Sequence, residues 1–223
     1  MSAAVHSPGP DDLPETIPVF PLPGALLLPH GHLPLNIFEP RYLNLTADAL
    51  GQGRMMGMVQ PVDAEPDPVS DTAELYRTGC LGRITSFAET DDGRFLITLT
   101  GVSRFRIAGE LESVRGYRRV SARYDAFAHD LQEDADATAD RQRLLDAVRA
   151  YFQLEGIDTD WAAIKEAPDG ALVTSLAMTC PFEPREKQAL LECPGLIERG
   201  EFLTTLMEMA VHESKAVAGS AGH

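Results

Sequence analysis

Few positions in this chain bring together side chains that could hold a metal, attack a bond or cradle a phosphate. His30 and His32 stand two apart, and on an extended strand both imidazoles would point to one side, half of a metal site. An ion needs further ligands, and no cluster of His, Cys, Asp or Glu nearby supplies them, so turn or surface histidines beside Gly31 are expected. Cys80, Cys180 and Cys193 are odd in number with no C-x-x-C spacing, which argues for buried apolar thiols in a reducing compartment. Ser214 and Lys215 pair a nucleophile with a base, yet a lysine base must be desolvated, and a fraying helix end offers little burial. No G-x-S-x-G elbow occurs: Ala218 stands where Gly219-Ser220-Ala221-Gly222 would need its first glycine. No Gly-Lys dipeptide is present to build a phosphate-binding loop. The expectation is a protein with no catalytic residue, no metal and no cofactor.

Two features suit binding instead. Met55, Met56 and Met58 fall on one expected strand, and flexible thioethers accept varied apolar segments, although strand alternation leaves core filling as the competing expectation. Arg104, Arg106, Arg118 and Arg119, with Arg115 and Arg123, form a candidate basic face on adjoining strands, the alternative reading being an RNA-binding module. Against RNA, Glu110, Glu112 and Asp125 interrupt the arginines, and the net charge is −15. That charge equally disfavours an anionic membrane surface. It is uneven: residues 1–125 carry 11 basic and 16 acidic side chains, residues 126–223 carry 8 and 18. No apolar run approaches a membrane span, and the first basic residue is Arg41, so no secretory leader is expected and the cytoplasm is the expected compartment.

The elements that must position these residues change character along the chain. Residues 1–15 are small, Pro-rich and acidic, and read as a disordered leader. From 17 to 38, β-prone runs are broken by Pro or Gly, and nine of the sixteen prolines lie in the first forty positions. Proline lacks a ladder donor, so these strands must be short, bent or at an edge. Pro40 then opens a helix that Gly51 stops. Strands follow at 54–59, 79–89, 94–100, 104–107 and 117–124, with Asp91-Asp92-Gly93 as a hairpin turn and 61–74 as a loop. From about 130 the apolar period becomes 3.6, with Leu144, Leu145, Val148, Tyr151 and Phe152 on one face, and further helices run to about 213. Short strands joined by Gly-containing turns imply a small barrel or strongly bent sheet.

Several of these elements carry a family signature. Pro18-Val19-Phe20-Pro21-Leu22-Pro23, Leu33-Pro34-Leu35, Phe38-Glu39-Pro40-Arg41-Tyr42, Gly79-Cys80-Leu81-Gly82-Arg83-Ile84 and Gly101-Val102-Ser103-Arg104-Phe105-Arg106-Ile107 stand in register with the Lon protease amino-terminal domain family. The match continues through Glu186-Lys187-Gln188-Ala189-Leu190-Leu191-Glu192 and Glu198-Arg199. The chain most resembles small, free-standing bacterial members without ATPase and protease domains. That resemblance implies an α+β fold, a mainly antiparallel PUA-like β-barrel over 16–125 followed by a helical bundle over 126–213; the small residues of 214–223 read as a disordered tail. It implies a non-catalytic module that recognises unfolded or exposed apolar polypeptide segments, in company with a protease or chaperone. Pro21, Pro23, Glu39, Pro40, Arg41 and Tyr42 are expected to serve architecture. An apolar cleft between the halves, and edge strands open to strand addition, are the expected contact surfaces.

Overall fold

Pro18 shows how proline shapes the sheet. It lies in the part of its strand that is paired on one side only, where a residue without an N–H is tolerated. The computed structural model describes residues 9, 12–63, 69–132 and 140–220. Most of the expected leader, positions 64–68 of the expected loop and positions 221–223 of the expected tail lie outside them. In chain order the elements are β1 (Thr16–Pro21), β2 (His32–Ile37), α1 (Pro40–Gly51), β3 (Met55–Val59), β4 (Thr78–Glu89), β5 (Phe95–Val114) and β6 (Tyr117–Arg123). A 3-10 segment (Asp125–Leu131) follows, then α2 (Arg141–Glu155), α3 (Trp161–Glu166), α4 (Asp169–Thr179), α5 (Pro184–Glu192) and α6 (Leu196–Ser220).

The chain divides into two units, and the boundary is not a single point. One comprises Met1–Glu133 with Cys180–Leu191, the other Asp134–Thr179 with Glu192–His223. Both the 3-10 segment and α5 therefore belong with the strands, where the sequence places them in a helical half beginning at 126. Helix α6 also continues to Ser220, past the expected end of order at 213.

In the first unit the strands form one mixed sheet, ordered β2-β5-β4-β3-β1-β6, and β5 also pairs with β6 so that the ladders form a ring. Every pairing is antiparallel except β1 with β3, whose crossover is supplied by β2 and α1. Instead of two separate strands over 94–107, β5 is one bent strand. It pairs with β2 and β4 early and with β6 late, and register shifts fall between Leu81 and Gly82 and between Ile107 and Gly109. Gly101 permits this continuity: a Cβ there would lie 1.9 Å from the Leu28 carbonyl oxygen, because the chain before β2 crosses the strand at that point. Phe105 fills the centre with Ile17, Val19, Leu81 and Val120, and its ring occupies space that a Cβ at Gly57 or Gly79 would take.

Helix α5 is fastened to the strands by a buried polar network. Gln60 Nε2 donates to Gln188 Oε1 (3.3 Å) and to the Pro184 carbonyl (3.2 Å), while Gln188 Nε2 donates to the Thr78 carbonyl (3.1 Å). Gln60 Oε1 accepts from the Gly24 N–H (3.0 Å), and Lys187 Nζ reaches the Gly24 carbonyl (2.9 Å). Such a network is favourable only when its members are satisfied, and here Gln60 and Gln188 each use both ends of the amide.

In the second unit α2 packs on α6, and so does α4. Asp140 caps α2 by accepting from the Arg143 N–H (3.0 Å), and Gly156 closes the helix in the left-handed region at φ +67°. Arg143 forms a forked ion pair with Glu208 (2.8 and 2.6 Å). Among the described residues no helix is long and apolar enough to cross a membrane.

Candidate functional site

The residues singled out in the sequence mostly turn inward. Met55, Met56 and Met58 are all buried, because β3 is paired along both edges and covered on both faces. They fill the core and cannot meet a partner, which corrects the reading of them as peptide contacts. The basic face is thinned: Arg106, Arg115 and Arg123 are exposed, but two of its members turn inward. Arg104 is 1% exposed and binds Asp130; Arg118 is buried, held by Glu110 (2.7 Å) and the Ala73 carbonyl (2.8 Å). Arg119 donates to the Glu112 carbonyl (3.0 Å), and Arg106 lies 6.0 Å from the centre of the Phe127 ring. Strand alternation places Arg104 opposite Phe105, but the 3-10 segment and α5 cover that second side, so both residues are interior.

Arg41 binds Glu39 (Nε to Oε2, 3.0 Å), Asp71 (2.5 Å) and the Val69 carbonyl (2.8 Å), fixing the first turn of α1 to the segment beginning at 69. Tyr42 stacks on Phe20 with ring centres 4.1 Å apart. Burial, with Glu39 and Asp71 adding to it against the opposing Arg41, pushes its phenol up to about 12. Pro21 ends β1, Pro23 stands in the turn that follows, and Pro40 starts α1. His32 Nδ1 lies 3.0 Å from Thr100 Oγ1, and His30 takes a turn conformation at φ +64°. No group of three or more potential metal ligands occurs among the described residues. Ser214 and Lys215 are consecutive on α6, so their side chains diverge by about 100° around the helix. The three cysteines are buried and unbridged.

The surface that stands out is the open end of the β4–β5 hairpin beside β2. Cross-strand partners point to one side, so Phe87, Ile97 and Leu35 share a face with Glu89, Phe95 and Ile37, while Ala88, Leu96 and Asn36 share the other. Ile97 and Ile37 are buried there, but Phe87 is 40% exposed, Leu96 45% and Phe38 56%. Phe87 and half-buried Phe95 meet edge to face at 5.0 Å. The Arg94 guanidinium, paired with Asp92 (2.9 Å), lies 6.0 Å from the Phe38 ring centre. Apolar side chains so exposed on both faces of one hairpin mark a contact surface. One signal in the sequence could have revealed it: Leu96 is out of phase with inward Phe95, Ile97 and Leu99. A second open groove, about 680 Å³, runs along α2 and α6 in the second unit, with Ala147, Ala150 and Val211 beside Arg143 and Glu208 in its lining.

Among the described residues β2 pairs with β5 alone, which leaves its other edge without a partner strand there. The Gly101 N–H donates to the Gly31 carbonyl (2.9 Å), and with strict alternation residues 33, 35 and 37 face β5 while 32, 34 and 36 face outward. Pro34 is thus missing a donor in the middle of that outward edge. This blunts the edge against strand addition, contrary to the expectation that edge strands are open to it.

A bent mixed sheet whose ladders form a ring, with helices toward the carboxyl end, is the fold of solved Lon amino-terminal domains. The Lon N-terminal domain protein from Xanthomonas campestris superposes with a TM-score of 0.59 at 23% identity, covering 85% of this chain and 97% of that one. The N-terminal domain of a Mycobacterium avium complex Lon protease gives 0.59 at 15% identity, covering 86% and 98%. The chain belongs to the family of the ATP-dependent protease La (LON) substrate-binding domain, whose model matches residues 16–209. The Lon protease of Flavobacterium johnsoniae is 27% identical over 209 residues, which is 92% of this chain and 25% of that protein. Lon protease 2 of Sorangium cellulosum is 28% identical over 193 residues, 83% of this chain and 23% of that protein. The chain spans about a quarter of the length of these curated relatives.

Proposed function

We propose that this chain is a non-catalytic polypeptide-recognition module that holds exposed apolar segments of unfolded chains in the cytoplasm, beside a protease or chaperone that processes them. In this reading the ring of strands is a PUA-like barrel and the second unit a helical bundle. The observation that carries the proposal is the hairpin end, where Phe38, Phe87 and Leu96 stand exposed around a well-packed sheet. Membership of a substrate-binding family supports it. So does the inward turning of Arg104 and Arg118, which takes two of the six arginines out of the basic face that RNA phosphates would need. The contact works through side chains, since Pro34 blunts the neighbouring edge.

Weak, sequence-tolerant contact through a few apolar groups corresponds to dissociation constants of about 0.1–1 mM. Titration of the isotope-labelled chain with unfolded casein-like peptides tests this by NMR. Shifts gathered at residues 38 and 87–96 are expected. No shift at ~1 mM peptide, or shifts confined elsewhere, overturns the assignment.

A further inference from the structure

We infer that the hairpin end selects apolar segments flanked by lysine or arginine. This rests on the polypeptide-binding reading and adds to it a choice among polypeptides. Three carboxylates rim the exposed ring pair: Glu89, the cross-strand partner of Phe95, and Asp91 and Asp92 in the turn. The guanidinium group on the same hairpin is already engaged, Arg94 by Asp92 (2.9 Å). Glu89 and Asp91 are exposed and make no ion pair among the described residues. An apolar side chain set against Phe87 and Phe95 would bring its sequence neighbours within reach of two uncompensated carboxylates. A cationic neighbour is attracted there and an anionic one repelled, in a chain whose net charge of −15 adds to both effects. Extended chain repeats at about 3.3 Å per residue, so flanks one to three positions from the apolar anchor span the rim.

The test uses the full chain and three peptides that share one apolar core and carry Lys, Ser or Glu flanks. Dissociation constants are read from NMR shifts at ~25 mM and ~500 mM salt, where screening lengths differ severalfold. At low salt the Lys-flanked peptide should bind ~3–10-fold more tightly than the Ser-flanked one, and the Glu-flanked one correspondingly more weakly. The spread should collapse at high salt. It should shrink severalfold in the Glu89→Gln/Asp91→Asn variant, which leaves the rest of the chain's negative charge in place; Asn keeps the turn preference at position 91. Equal low-salt affinities for all three peptides, with shifts still at residues 87–96, would overturn the charge selection and leave the apolar site standing. Absence of shifts there with every peptide would remove both. A spread undiminished in the variant would overturn the assignment to Glu89 and Asp91.

Discussion

The Arg104 guanidinium and the Asp130 carboxylate meet as a fork inside the protein: Nε–H donates to Oδ2 (2.9 Å) and Nη2–H to Oδ1 (2.7 Å). The Arg104 backbone N–H also reaches Oδ2 (2.8 Å), and Nη1 donates to the Leu191 carbonyl of α5 (3.1 Å). One side chain thus joins β5, the 3-10 segment and α5. Removing either partner leaves the other charge buried, so Arg104→Ala or Asp130→Ala should each cost about 3–5 kcal/mol. Arg104→Met with Asp130→Leu should cost much less than the sum of the single changes. Urea unfolding followed by circular dichroism reads all three; additive losses would show that the charges act independently.

Gly101→Ala should be among the most damaging single-methyl changes in the chain. Its Cβ would meet backbone, with Leu28 O at 1.9 Å and Pro29 Cα at 3.2 Å, and no side chain can swing aside. A loss of about 4 kcal/mol or failure to fold is expected, against about 1–2 kcal/mol for Gly93→Ala, where space is open and only φ of +79° is unfavourable. Comparable midpoints for the two variants would refute the crossing.

Alkaline pH should find the phenols. Burial holds Tyr42, Tyr117 and Tyr124 neutral above the ordinary tyrosine range, Tyr42 to about 12. The unfolded chain releases these protons near pH 10 and the folded chain later, so the folded form binds more protons in between. Stability therefore falls as pH rises from about 10 toward 12. Tyrosinate absorbance at high pH should show late-titrating phenols, and Tyr42→Phe should remove one of them and flatten the alkaline loss.

The exposed rings should be dispensable for folding. Phe38→Ser should change stability by no more than about 0.5 kcal/mol, and Phe87→Ser by about 0.5–1.5 kcal/mol through its edge-to-face contact with Phe95. Both should lower binding of a hydrophobic dye to the folded chain. Undiminished dye binding in the double variant would place the accessible apolar surface elsewhere.

Much of this architecture is written locally. Pro40 and Gly51 bracket α1, and Asp91-Asp92-Gly93 makes the expected turn, with Gly93 at φ +79°. Alternation gave the inward set on β5, because period two is a property of consecutive residues. What local pattern could not supply is which second layer covers a face. Arg104 and Arg118 read as solvated because nothing in their neighbourhood announces Asp130, Leu191 or the Ala73 carbonyl. The apolar stripe of α5 looks like that of any bundle helix, and only the burial of Gln188 against Gln60 and Thr78 shows that it belongs with the strands. The contact surface was missed for the same reason, since an exposed Phe87 and a buried Phe105 have the same sequence signature.

Because α5 returns to the strands after the second unit has begun, the chain passes between units three times. On the ribosome the first 133 residues must wait, with Gln60 and Arg104 lacking their α5 partners, until residue 191 has been made. At about 5–20 residues per second that interval is roughly 3–12 s. A nascent Lon-type domain of this design spends those seconds as an unfinished fold, itself the kind of polypeptide that quality control inspects.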